Sequence, residues 1–231
     1  MLGNIWQLIF IHPISATLLW LNDLTGNLGL AIILLTVIIQ LLMTPLRLPS
    51  LKSAQKIRQL QPKIKDLKAK HKDDKMALAQ SQMELYREHG VNPLGGLLPT
   101  LLSIPIIIAL YHVLLTTLTG MDGSVTGFLW LDLTKPDRFY IIPLLVAGTQ
   151  FLLSHIMTPK ADPSQSKSGD PEEMMQAVQS QMKYIFPVLS GIITASLPSG
   201  VGLYWLISVA FAIIQHQSIE NGSKNATTTS N

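Results

Sequence analysis

Apolar residues along this chain fall in blocks, not in stripes. Over 28–43 only Thr36 and Gln40 are clearly polar, and the stretches 97–118, 140–157 and 184–214 contain no Asp, Glu, Lys or Arg. A helix on the surface of a soluble domain keeps one polar face, so blocks this continuous predict helices that are apolar nearly all round. Crossing about 30 Å of hydrocarbon takes roughly 20 such residues. The last block is too long for one crossing and carries a turn signal, Leu197-Pro198-Ser199-Gly200, in its middle. The pattern predicts an all-α integral membrane protein with five spans, at 28–46, 94–118, 139–157, 183–198 and 201–217. The apolar cores of the first and fourth spans are sixteen residues each, or roughly 24 Å of helix. That implies local thinning of the bilayer or continuation of the helices into polar sequence.

Outside the spans the pattern changes. Residues 1–27 mix Ile5, Leu8, Ile9, Leu18, Leu19 and Trp20 with Asn4, Gln7, His12, Asn22 and Asp23, and Pro13 interrupts them. This predicts an external amphipathic segment in the membrane interface, with Trp6 and Trp20 at headgroup level. Within 47–93, Ile57, Leu60, Ile64 and Leu67 are spaced 3-4-3, as are Met76, Ala79, Met83 and Tyr86. Lys72-Asp73-Asp74 breaks the pattern between the two runs and offers an N-cap to the second. Two helices packed as an antiparallel hairpin follow from that spacing, and their narrow stripes together with Pro62 predict a mobile element. Residues 119–138 read as an external loop, 158–182 as a loop whose 158–172 stretch is rich in Pro, Ser, Asp and Gly and flexible, and 218–231 as a disordered polar tail.

Charge gives this layout an orientation. Eleven Lys and Arg lie between 43 and 94, from Arg47 to Arg87, whereas 1–27 has none and 119–138 has only Lys135 and Arg138. The positive-inside rule puts the 47–93 hairpin in the cytoplasm, 1–27 and 119–138 outside, and the C-terminus inside. Composition agrees, with 48% apolar and 13% charged residues, against about a quarter charged in soluble domains. With no cysteine, disulfides and thiolate metal sites are excluded. The N-terminus lacks the basic region of a cleavable signal peptide, so the first segment is expected to stay. Specific nucleic-acid binding is disfavoured: Asp66, Asp73, Asp74, Glu84 and Glu88 dilute the basic run, and base-stacking aromatics are scarce. A solvated face near anionic lipid accounts for the run.

No catalytic constellation is legible. His12, His71, His89, His112, His155 and His216 form no metal-spaced pair, no carboxylate lies in a predicted span, and no phosphate-cradling glycine loop occurs. Catalytic residues, a metal and a cofactor are therefore not expected. The spans carry instead scattered neutral polarity: Thr36 and Gln40, Thr100 and Ser103, Thr149, Gln150 and Ser154, Ser190 and Thr194, Tyr204 and Ser208. Several are four apart and share a helix face. They serve either interhelical hydrogen bonding, which membrane bundles use routinely, or a shared hydrophilic groove. Thr36, Gln40, Thr44 and Arg47 lie on one narrow face, which gives Arg47 the role of a positive charge at the groove mouth, about 10 Å below Gln40.

The motifs resemble those of the YidC-type membrane protein insertases of bacteria, which have mitochondrial and chloroplast relatives. The matching stretches are GNLGLAIILLTVIIQLLMTPL (26–46), MELYREHGVNPLGGLLPTLLSIPIIIALYHVL (83–114), FYIIPLLVAGTQFLL (139–153) and FPVLSGIITASLPSGVGLYWLISVAFAIIQ (186–215). The resemblance implies a five-helix core, a cytoplasmic helical hairpin, and a groove open to cytoplasm and lipid but closed to the outside. It also implies that Thr36, Ser103, Tyr204 and Trp205 fall at groove or substrate-contact positions. Where the family usually carries an arginine in the first span, this chain has Gln40, and the long basic tail of some relatives is missing. The implied function is a non-enzymatic insertase and chaperone in the bacterial plasma membrane. Its partners would be nascent membrane proteins and the lipid bilayer, with the ribosome and the general secretion channel as further candidates. The alternative is a small secondary transporter or channel, against which stand the absence of an inverted repeat and of intramembrane charge.

Overall fold

The computed structural model describes residues 5–71, 74–91, 97–116, 126–157 and 171–228, with their side chains except at 54, 58, 68, 75, 97–103, 171–182, 220 and 222–228. A π-helical turn, Gln7–Ile11, leads into α1 (His12–Thr25), followed by α2 (Leu28–Lys70), α3 (Lys75–Glu88) and α4 (Leu97–Thr116). A ribbon of β1 (Gly127–Phe128) and β2 (Leu131–Asp132) precedes α5 (Ile141–Met157), α6 (Pro171–Ser196) and α7 (Ser199–Thr228).

Several boundaries differ from the expectation, each for a local reason. Pro13 does not break the first segment: the widened π turn ahead of it makes room for its ring, and it sits in the first turn of α1, where its missing N–H costs nothing. The first span and the first arm of the hairpin are one helix of 43 residues that runs through Pro45, Pro49 and Pro62. No glycine occurs between Gly29 and Gly90 to stop it, and extending a formed helix is easier than nucleating a new one. α6 begins at Pro171, inside the stretch expected to be loop. Pro171-Glu172-Glu173 is a helix start, with proline in the first turn and acids beside the positive end of the helix dipole. α7 continues to Thr228 across the tail expected to be disordered, because no proline follows Pro198. The short apolar cores are thus continued into polar sequence, and α6, at 26 residues, reaches about 39 Å. Residues 92–96 and 158–170 lie outside the described residues.

The chain divides into two compact units. One comprises Met1–Gln40 and Pro105–Ile214. Its interior is built from Leu18, Leu28, Ile32, Leu110, Val146 and Val201, all fully buried, and α5 packs along α6. The short ribbon corrects the all-α expectation: Phe128 pairs with Leu131 in antiparallel register, and Leu133 N–H donates to Thr126 O at 2.9 Å. It is pinned from one side by Gly29, where a Cβ would collide with the Phe128 ring.

The other unit comprises Leu41–Ile104 and Gln215–Asn231 and holds the hairpin. Asp74 Oδ1 accepts from Ala77 N–H at 2.9 Å and caps α3. Gly90, at φ 60°, ends it in a Schellman turn: Val91 N–H donates to Tyr86 O at 2.8 Å and Gly90 N–H to Arg87 O at 3.1 Å. Val91 folds back onto Leu60 and Ile64, flanked by Ile57, Leu85 and Tyr86. The first arm buries the stripe its spacing predicts, but on the second arm Leu78 is buried while Met76 and Met83 are exposed. The inward residues of α3 are Leu78, Leu85 and Tyr86, of which the expected stripe contains only Tyr86.

Candidate functional site

Several helices of the first unit turn polar side chains into its mostly apolar interior and leave large apolar ones on the outside. On α2, Thr36 and Gln40 are fully buried while Leu34 and Ile38 are exposed. On α5, Gln150 is buried and Leu144 is 74% exposed; on α6, Ser190 and Thr194 are buried and Ile192 is 63% exposed. This arrangement follows from the sequence pattern, since each polar residue sits in an otherwise apolar run and turns toward the hydrogen-bonding groups of its neighbours.

Hydrogen bonds show how the interior is satisfied. Gln40 Nε2 donates to Ser208 Oγ on α7 at 2.7 Å. Thr36 and Tyr204 stand one turn before this bond on their respective helices, Tyr204 fully buried and Thr36 donating to Ile32 O at 2.6 Å. Ser190 Oγ donates to Pro187 O and Thr194 Oγ1 to Ser190 O, both at 2.7 Å. Three of these hydroxyls are therefore bonded to carbonyls of their own helices, and an amide bonded to a neighbouring helix lies beside them. All are neutral, so they act as hydrogen-bond donors and acceptors and carry no fixed charge.

The site residues expected from sequence are distributed as follows. Thr36, Gln40 and Tyr204 belong to this interior, and Trp205 is half-buried on the next position of α7. Arg47 is half-buried in the other unit, where Gln215 Nε2 donates to Thr44 Oγ1 at 2.6 Å. The Ser103 side chain lies outside the described residues. Ser208, the partner of Gln40, belongs to the site as well, and its spacing of four from Tyr204 is the sequence signal for it. Among the described residues no group of three or more His, Asp or Glu is disposed to hold a metal ion.

A second set of polar contacts joins the ribbon loop to the start of α7. Ser199 Oγ donates to Asp132 O at 2.8 Å, Ser199 N–H to Lys135 O at 2.7 Å, and Gly200 N–H to Leu133 O at 3.0 Å. A Cβ on Gly200 would lie 2.9 Å from Leu133 O, so only glycine permits this approach. Partial burial pushes the Asp132 carboxyl upward, but hydrogen bonds from Lys135 and Thr134 outweigh that and hold it below the usual carboxylate range. The resulting contribution to stability is present at neutral pH and is lost only as pH falls through the lowered value. Asp137, buried, accepts from Phe139 N–H and from Ile142 N–H at 2.8 Å and starts α5. The sequence signal for this cap is Pro136-Asp137 ahead of an apolar run.

The profile of the 60Kd inner membrane protein family matches residues 20–226. The chain belongs to that family. It is 40% identical over 194 residues to the "Membrane protein insertase YidC" of Fusobacterium nucleatum, covering 84% of this chain and 86% of that one. Similarity to the YidC insertase of Aquifex aeolicus is 37% over 213 residues, 92% of this chain but 39% of the relative, so the chain spans well under half of that protein. The YidC 1 insertase of Listeria monocytogenes is 36% identical over 225 residues, 95% and 74% of the two chains. Among solved structures, "Active YidC insertase crystal structure with the first transmembrane domain resolved" superposes with a TM-score of 0.64 at 26% identity, over 90% of this chain and 45% of that one. With relatives from bacteria and helices long and apolar enough to cross a bilayer, this is a bacterial membrane protein.

Proposed function

We propose that the chain is a membrane protein insertase that helps hydrophobic proteins enter and fold in the bilayer, and that it does so without catalysing a reaction. The observation that carries this reading is the neutral polarity buried among apolar side chains, with Thr36, Gln40, Gln150, Ser190 and Thr194 turned inward, Ser208 bonded to Gln40, and Leu144 and Ile192 turned outward. A polar segment of a substrate crossing hydrocarbon needs hydrogen-bond partners, since each unsatisfied backbone group there costs several kcal/mol. Neutral hydroxyls and amides bonded within the protein exchange partners with such a segment without exposing a charge. Gln40, Ser103, Tyr204 and Trp205 are its proposed contacts beside Thr36, with Arg47 supplying positive charge at the mouth.

The proposed layout has five crossings, with 1–27 and 119–138 outside, and 47–93, 158–182 and the C-terminus in the cytoplasm. By length and composition Leu28–Ile57 and Ser199–Ile219 qualify as spans, and Ile104–Thr116 and Ile141–Met157 are shorter apolar helices. Gln7–Thr25 also qualifies at a mean hydropathy of 1.2. Its Asn22 and Asp23, and the odd number of crossings that the basic hairpin demands, favour an interfacial position. Nascent membrane proteins and the bilayer are the proposed partners, and the ribosome and the general secretion channel are candidates.

Reconstitution tests the reading. Liposomes carrying the full chain are expected to convert a small in vitro-translated membrane protein to a protease-protected form, with no solute leak. Solute flux without insertion would establish the transporter or channel instead.

A further inference from the structure

Two non-glycine residues with positive φ occur among the described residues, Leu129 and Tyr140, both at φ 56°, and both lie in the loop between α4 and α5. This left-handed region suits glycine or asparagine, and two-residue hairpin turns normally carry those residues there. Here the turn is Leu129-Trp130. Its two flanks are held firmly: Phe128 is lodged over Gly29, while Leu131 and Leu133 are buried. The backbone strain is therefore imposed on the turn from outside it, and the leucine side chain gains nothing from the protein in return, since it is 77% exposed. Tyr140 repeats the situation at 63% exposure, with Phe139 beside it at 62%. An outlier that a smaller residue would relieve points to a use for the side chain. The Phe139-Tyr140 pair leads directly into α5, whose outward apolar residues begin with exposed Ile141 and Leu144.

We propose that Leu129-Trp130 and Phe139-Tyr140 are two apolar wedges that seat this loop in the headgroup–acyl boundary of the outer leaflet, so that the partner of this surface is lipid. The chemistry fits that one occupant: tryptophan and tyrosine favour the interface, leucine and phenylalanine reach below it, and the polar groups of the loop, Asp132, Thr134 and Lys135, are bonded among themselves. The proposal rests on the span assignment above, in which α5 crosses the bilayer from this loop.

The chain has no cysteine, so single environment-sensitive fluorophores can be attached to introduced thiols in the full chain, reconstituted in liposomes. A probe on Leu129→Cys is expected to emit blue-shifted, to be quenched by lipids brominated near the ester end of the acyl chain, and to be shielded from aqueous iodide. A probe on Lys135→Cys should stay iodide-accessible, and one on Leu144→Cys should be lipid-quenched. Iodide access at 129 equal to that at 135, with 144 lipid-quenched, overturns the wedge and leaves the span reading standing. Iodide access at 144 overturns both. Shielding at 129 only when a substrate is being inserted overturns lipid in favour of substrate. Because asparagine tolerates the left-handed turn, Leu129→Asn keeps the fold, and it is expected to abolish the blue shift of a probe on Trp130→Cys. An unchanged Trp130→Cys spectrum in that background would show that the leucine anchors nothing.

Discussion

An amide inside a membrane helix is costly unless it finds a partner, and Gln40 finds Ser208 at 2.7 Å. Such interhelical bonds average about 0.6 kcal/mol and reach about 1.7 kcal/mol, so Gln40→Leu and Ser208→Ala are each expected to destabilise the core only modestly. Their larger effect should be on insertion, which Gln40→Leu impairs for substrates with acidic and with neutral translocated segments alike. Gln40→Arg should be tolerated and favour the acidic substrate, and Arg47→Ala should hurt the acidic one more. Normal insertion of both substrates by Gln40→Leu, with Gln40→Arg unstable, would make position 40 a packing site. The pairing of Thr36 with Gln40 was legible from their spacing of four. The partner was not, because Ser208 lies 168 residues further on and no local pattern reports which helices meet.

The hairpin elements show the same division between local and non-local information. Asp74 as a cap was readable from side-chain chemistry alone. The inward stripe of α3 was not, because Met76 and Met83 are as apolar in pattern as Leu78 and Leu85, and the rotation of the helix is decided by what Leu60 and Ile64 offer across the hairpin. Helix ends differ from the ends of the apolar runs for a related reason: an apolar run reports where lipid is, whereas a helix ends where a cap or a glycine stops it. The small core of the hairpin leads to an expectation for its dynamics. Amide hydrogen exchange over 51–90 should be faster than in α5 and α7, and Asp74→Ala, at a cost of about 1 kcal/mol, should accelerate exchange across Lys75–Glu88 alone. Deleting 51–90 should leave the remaining helices folded in detergent; unfolding of that core would assign the hairpin a structural role.

For the whole molecule, the apolar blocks carried the membrane class and the motifs carried the family, while orientation rests on charge. An impermeant thiol reagent applied to intact cells is expected to label Ser15→Cys and Ser124→Cys and to spare Ser53→Cys and Ser168→Cys; the reverse pattern would invert the layout. Labelling of Ser124→Cys with a protected Asn4→Cys, exposed only after lysis, would instead make Gln7–Thr25 a sixth crossing. One contact also bears on how such a chain is made. Gln40 on α2 is synthesised 168 residues ahead of Ser208 on α7. Until α7 has been made, the Ser208 end of this bond does not exist, so a chain cut short before α7 never forms it. The tie between α2 and α7 therefore closes late, after every helix between them has been laid down.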